Sequence, residues 1–304
     1  MLGSISRGGK MYTSYNEACA LGCSSLEQDL VLAEKEGFDY IEIRLDMLTK
    51  YLESHSVDEL ASFFKKSHLK PHAFNALYLY PDFLSDRDDS KRATFLLSEF
   101  FLACEVGMRI GAHDFIVVPP FLDGPNYIPF PDTEEKIFND CVRMLTKLSS
   151  YAERYDMKLS FELVGFPRSS VRTVEFASHI VNAVNRKNVG FVFDAYNVYL
   201  YNGKNDFEAI RKIDPEKIFA VHLNSADDVP EKERSQDKRC FPGEGVVDTD
   251  LFLSTLRDIG YKGMVSIETF RPSHWNESPE WVLSNAYRTT YEAMKKNGCL
   301  GEEK

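Results

Sequence analysis

Eight times along this chain a short apolar run, rich in β-branched and aromatic residues, gives way to a longer stretch with helical spacing. The clearest run is VGFVFD at 189–194, whose composition fits a strand buried on both faces. The others fall at 11–15, 39–43, 72–75, 114–118, 158–162, 217–222 and 264–268. Between them the start and stop signals place helices. The first begins at a Ser24 or Ser25 cap and ends at Gly37. The next are expected over 57–67, over 90–106 with Gly107 as the stop, from a Thr133 cap to about 155, and over 172–184. A short one over 206–212, one from a Thr249 cap to about 259, and one over 278–296 complete the set. Strand and helix in strict alternation predict a parallel sheet with helical crossovers. Eight such units predict an α/β fold closed into a (β/α)8 barrel, the TIM-barrel architecture, as one domain over 11–304. An open doubly wound sheet that bound a nucleotide would need a glycine-rich turn after its first strand, and GCSS at 22–25 is not one.

Composition narrows what such a barrel does. The chain has 304 residues, where a barrel takes about 250, so one barrel with decorated loops uses all of it. A net charge of −11 argues against a nucleic-acid partner, which would need clustered Lys and Arg. No apolar run reaches membrane-spanning length. Cys19 and Cys23 have no second pair to complete a zinc site, so all six cysteines read as thiols of a reduced, cytoplasmic enzyme. MLGSISRGGK at 1–10 reads as a flexible extension. The Pro- and aromatic-rich stretch 119–132 is a long loop expected to act as a lid. The oligomeric state is left open, a homo-oligomer included.

Four of the apolar runs end on residues that ligate metals: Glu162, Asp194, His222 and Glu268. A carboxylate at the end of a buried strand is costly unless it is paired or bound. These four close strands five to eight, and barrel active sites lie at the C-terminal ends of the strands. They should therefore converge. Three carboxylates and an imidazole suit one divalent cation: Mn²⁺, Co²⁺, Zn²⁺ or Mg²⁺. Glu42 lies inside the second strand, either for substrate or in an ion pair such as one with Arg44. Asn75 is expected to end strand three and hold a hydroxyl. His72, at the other end of that strand, reads as structural, and His179, on a helix face, as packed or solvated. Tyr78, Tyr80, Phe121, Tyr127 and Phe130 are candidates for the pocket wall. Cys240 has no histidine placed to make it a nucleophile.

With these residues in view, the chain resembles the xylose-isomerase-like barrels of sugar-phosphate isomerase and epimerase type. More narrowly, it is similar to the bacterial inosose isomerases of inositol catabolism. The segments that carry the likeness are FDYIEIR at 38–44, FNAL at 74–77, FELVGFP at 161–167 and NVGFVFDAYN at 188–197. HLNSADD at 222–228, RCFPGEGVVD at 239–248 and VSIETFRP at 265–272 complete them. The resemblance implies metal ligation by Glu162, Asp194, His222 and Glu268. It implies contact between Arg239 and substrate oxygens. Where the family often has a histidine three residues after the strand-six aspartate, this chain has Asn197, which hydrogen-bonds but does not titrate.

Two carboxylates flanking a metal-bound keto-alcohol move a proton between adjacent carbons, with Glu162 and Glu268 as the acid/base pair. The expected substrate is a small sugar or an inositol-derived ketone. Interconverting a ketone with its neighbouring hydroxyl through an enediolate is the leading reading. A ketose 3-epimerase and an inosose or shikimate-type dehydratase are the alternatives on the same metal site. A DNA-repair endonuclease would need a histidine-rich three-metal cluster, and a non-catalytic barrel would have no use for both glutamates.

Overall fold

The structure is a computed structural model and describes residues 10–86, 88 and 90–301. All of the expected extension except Lys10 therefore lies outside the described residues. The eight strands are β1 Tyr12–Asn16, β2 Tyr40–Arg44, β3 Lys70–Tyr78 and β4 Asp114–Val118, then β5 Lys158–Glu162, β6 Val189–Asp194, β7 Ile218–Leu223 and β8 Met264–Ile267. They close in the order β1-β8-β7-β6-β5-β4-β3-β2, and every pairing is parallel. The (β/α)8 barrel predicted by the alternation is the fold of this chain. No helix among the described residues is long and apolar enough to cross a membrane.

The nine α-helices among the described residues follow local chemistry. Helix α1 (Leu26–Glu36) starts at Ser25, whose side chain accepts from Gln28 N, and stops at Gly37 with φ +100°. A left-handed residue at that position satisfies the last carbonyls at no Cβ penalty. Helices α2 (Leu45–Leu52) and α7 (Ala195–Leu200) are missing from the sequence reading. Each begins on the residue after a strand, so no turn signal separates them. Helix α3 is Val57–Lys66, and α4 is Lys91–Ile110. The expected stop at Gly107 is wrong: α4 runs on to Gly111, whose φ is +89°. Gly107 is there for close packing, since a Cβ on it would lie 2.7 Å from Met157 Cε and 2.8 Å from Ala112 O. Helices α5 (Glu134–Ala152) and α6 (Val174–Val184) follow their Thr133 and Thr173 caps. Asp248, not Thr249, caps α8 (Thr249–Ile259), and Ser278 caps α9 (Pro279–Lys296). The expected helix at 206–212 is a 3-10 turn, Glu208–Lys212.

The long segment after β7 shapes the barrel mouth. It doubles back as an antiparallel ribbon in which Ala226 faces Arg239 and Ser225 faces Cys240. The PGEG turn makes this possible: Val246 N donates to Ala226 O at 2.8 Å, so close that a Cβ on Gly245 would lie 2.0 Å from that oxygen. Residues 119–132 are tied down on two sides. Leu122 N donates to Arg168 O, Phe130 N to Pro167 O, and the Asn126 side chain to Arg234 O. Six small aliphatic residues fill the inside of the barrel from β3, β4, β6 and β7: Ala73, Ala76, Ile116, Val118, Val192 and Ala220.

Candidate metal centre

Each expected ligand is delivered by its strand end. Glu162 is the last residue of β5, Asp194 the last of β6, His222 the last but one of β7, and Glu268 follows β8 directly. Pairing aligns them, with Asp194 opposite His222 and His222 opposite Ser266, two residues before Glu268. One ligand atom from each of the four lies within 4.8 Å of all the others. All four residues are buried, none more than 5% exposed. His222 Nδ1 is 3.3 Å from Glu268 Oε2, 3.5 Å from Glu162 Oε1 and 3.9 Å from Asp194 Oδ2. It is a buried nitrogen with no hydrogen-bond partner, facing three carboxylates.

That orphan atom tests whether a cation fits. The other ring nitrogen, His222 Nε2, lies 3.1 Å from both oxygens of Glu42. A carboxylate behind one imidazole nitrogen fixes the tautomer and leaves the other nitrogen's lone pair for a metal. Negative charge also remains in excess with Arg239 counted. Glu42, Glu162, Asp194 and Glu268 are met by one guanidinium and one imidazole. The donor set, three carboxylates and a nitrogen, suits a borderline-hard divalent ion.

The two glutamates differ sharply in ionisation. Burial pushes Glu162 up to about 7. Burial would raise Glu268 too, but His222 and the Arg239 guanidinium outweigh it and hold the carboxyl far below the usual range. His222 shows the same contest with the sign reversed. Burial disfavours its charge, while Glu268 and Glu42 prevail and raise its pKa well above the ordinary value. Asp194 is raised, with burial the largest cause and Arg239 opposing it.

Asp194 has two jobs. Its Oδ1 accepts from Asn197 N at 2.7 Å and so caps α7. Its Oδ2 takes Asn224 Nδ2 and Arg239 Nη1, both at 2.7 Å. Arg239 is fully buried. It also donates from Nη1 to Glu268 Oε2 at 2.6 Å and from Nε to Gln236 Oε1 at 2.5 Å. Asn197 Nδ2 holds Glu162 Oε1 at 2.9 Å.

Glu162, Glu268, Arg239, Asn197 and Asn75 line one cavity of about 140 Å³. Glu42 does not, and this corrects its expected contact with substrate. It is fully buried behind His222, and Asn16 Nδ2, Asn75 Nδ2 and His222 Nε2 fill its oxygens. Nor does it pair with Arg44, which binds Asp46. Asn75 is interior to β3 rather than at its end, since the strand runs to Tyr78. It bridges Glu42 at 2.7 Å and Glu268 at 3.1 Å. Of the expected aromatic wall, Tyr78 and Phe121 face the cavity, whereas Tyr80, Tyr127 and Phe130 do not. Phe166 and Phe270 take their place. Tyr80 instead donates to Asp88 at 2.5 Å. His179 stacks on Phe138 with ring centres 4.4 Å apart. Burial pushes the Cys240 thiol up to about 12, so it is no nucleophile at neutral pH.

Two asparagines were missed. Asn16 joins Glu42 and Glu268 from the end of β1, and Asn224 joins Asp194 to the Glu268 backbone. Each had a signal. Asn16 closes a strand as the four ligands do, and Asn224 stands two residues after His222.

Comparison with known proteins agrees with this geometry. The family described as xylose isomerase-like TIM barrel matches residues 30–285. An inosose isomerase of Bacillus velezensis is 37% identical over 287 residues, which is 94% of this chain and 98% of that one. The inosose isomerase of Bacillus subtilis strain 168 is 37% identical over 94% of this chain and 99% of its own length. A crystal structure of IOLI protein with a bound zinc atom superimposes with a TM-score of 0.85, at 37% identity, over 94% of this chain and 99% of that one. The chain belongs to the xylose isomerase-like TIM barrel family.

Proposed function

We propose that this chain is a divalent-metal-dependent isomerase that interconverts the ketone and the adjacent hydroxyl of a cyclic polyol ketone, an inosose. The observation that carries the reading is His222 Nδ1, buried, unpartnered and set among Glu162, Asp194 and Glu268. Those four residues would hold the ion, which supplies Lewis-acid polarisation of a carbonyl. Near-full-length similarity to inosose isomerases supports the substrate class.

The remaining chemistry belongs to side chains of this protein. Glu162 and Glu268 both reach the cavity. One removes the proton from the carbinol carbon, and its electron pair becomes the double bond of an enediolate. The other returns a proton to the former carbonyl carbon. The neighbouring hydroxyl passes its proton to the former carbonyl oxygen as it becomes the new ketone. Asn197 keeps Glu162 oriented through the 2.9 Å bond, and Arg239 does the same for Glu268. Phe121, Phe166 and Phe270 exclude water from the reacting carbons.

The test is to incubate 2-keto-myo-inositol with the enzyme and Mn²⁺, remove the metal, and follow the products by NMR. A shifted ketone on an intact ring supports the isomerase. Turnover of a free ketose with inversion at C3, and none of inosose, would replace this reading with an epimerase. A conjugated enone absorbing in the ultraviolet would replace it with a dehydratase.

A further inference from the structure

The cavity wall carries two arginines, and they stand in different chemical states. Arg239 is anchored on the metal cluster, with Nη1 on Asp194 and Glu268 and Nε on Gln236. Among the described residues Arg168 has no carboxylate oxygen within 4.0 Å, and Asp123 acts on it only from farther off. One of its donors, Nη1, bonds Leu122 O at 2.6 Å. Its Nε is buried and has no partner. Its Nη2 bonds no group among the described residues, so that end of the guanidinium is left for a ligand in the cavity it lines.

Arg168 is also held in place. Its guanidinium lies 4.8 Å from the centre of the Phe121 ring. Its carbonyl accepts from Leu122 N at 3.0 Å, Phe121 bridges to Ser169, and Ser170 N donates to Pro120 O at 2.9 Å. The loops after β4 and β5 are thus zipped together, with the guanidinium between them. A donor fixed before binding loses little freedom on binding. Its place relative to the reaction follows from burial. The residues of the metal cluster are at most 5% exposed, whereas Arg168 is half-buried on the loop six residues past Glu162. It stands nearer the mouth of the cavity than the reacting atoms do.

We propose that Arg168 determines specificity by donating to a substrate oxygen on the side of the ring away from the ketone. This rests on the polyol-ketone reading above. A cavity of about 140 Å³ takes a ligand the size of one sugar ring, small enough to touch both ends of the cavity at once. A site built to bond a hydroxyl discriminates strongly against the analogue that lacks it.

The experiment measures kcat and KM for 2-keto-myo-inositol, and for the series of its analogues each lacking one ring hydroxyl, with wild type, Arg168→Met and Arg168→Lys. Met keeps an apolar stem over Phe121 and removes every donor. The expected result for Arg168→Met is a KM rise of about tenfold or more with kcat nearly unchanged. For one deoxy analogue the wild type and the variant should have the same KM. Arg168→Lys should fall between. Should Arg168→Met melt below the assay temperature, Arg168→Lys carries the test, and its KM rise must vanish for that same analogue. A KM unchanged on the full substrate, or a penalty equal across every analogue, overturns the proposal. If wild type turns over no polyol ketone, the functional reading fails and takes this one with it. An active wild type beside an indifferent Arg168→Met fails Arg168 alone.

Discussion

Each end of the barrel sets a histidine beside carboxylates, and the two ends resolve the charge in opposite ways. At the C-terminal end His222 faces Glu162, Asp194 and Glu268 with Glu42 behind it, and its pKa is driven up. Toward the N-terminal end His72 lies 3.8 Å from Asp114 Oδ2, and burial lowers its pKa to about 4. Burial raises Asp114 to about 7, although the Ser160 hydroxyl, within 2.8 Å of both of its oxygens, opposes this. Both imidazoles are buried. Glu42 attracts both imidazoles, but only His222 also faces Glu162, Asp194 and Glu268. At His72 desolvation wins over Glu42, and burial likewise raises Asp114 beside it. At His222 the Coulomb attraction of these carboxylates outweighs burial and raises the imidazole.

The hardest blow to this contrast falls at the upper end. On the proposed mechanism, Glu162→Gln and Glu268→Gln each remove a proton acceptor and a carboxylate of the metal cluster. Each should lower kcat by about 10³-fold or more and abolish the incorporation of deuterium at the new C–H when the reaction is run in D₂O. Wild-type turnover in both variants would mean that neither carboxylate is the base.

The lower end is tested by stability against pH. His72 is depressed, so between about pH 4 and 6.5 the folded protein binds fewer protons than the unfolded chain, and this group makes stability rise with pH. Asp114 is raised from 3.8 to about 7, so the folded protein binds more protons across that window, and this group makes stability fall. In wild type the two slopes offset. Asp114→Asn should uncover the rising slope, worth about 3 kcal/mol in denaturant midpoints between pH 4 and 6.5. His72→Phe should uncover the falling one. Flat profiles in both variants would show that this end is not a neutral pair.

The smallest effect sharpens the part played by Glu42. Glu42→Gln removes the charge behind His222 without emptying the space. Metal affinity, read by competition with a chromophoric chelator, should fall about 10- to 100-fold. An unchanged affinity would make the contact between Glu42 and His222 incidental to ligation.

The eightfold alternation, the Thr133 cap and the acids and imidazole at the ends of strands five to eight are all local features, so the fold and the four-residue cluster were legible in the sequence alone. Periodicity and capping act over one or two turns of chain, and that is the range over which a sequence can be read without its partners. What lay beyond that range was decided by closure. Asn16 and Glu268 are 252 residues apart and meet because β1 pairs with β8. Glu42 and His222 are separated by 180 residues and touch only across the barrel interior, which turned an expected substrate contact into a buried contact behind His222. Arg239 enters the site because Gly245 lets two loop segments approach more closely than any side chain would permit. Gly107 carries the same lesson inside α4. Its sequence signal is that of a stop, but its neighbours Met157 and Phe74 come from elsewhere in the chain and need the missing Cβ, so packing overrides propensity and the helix continues.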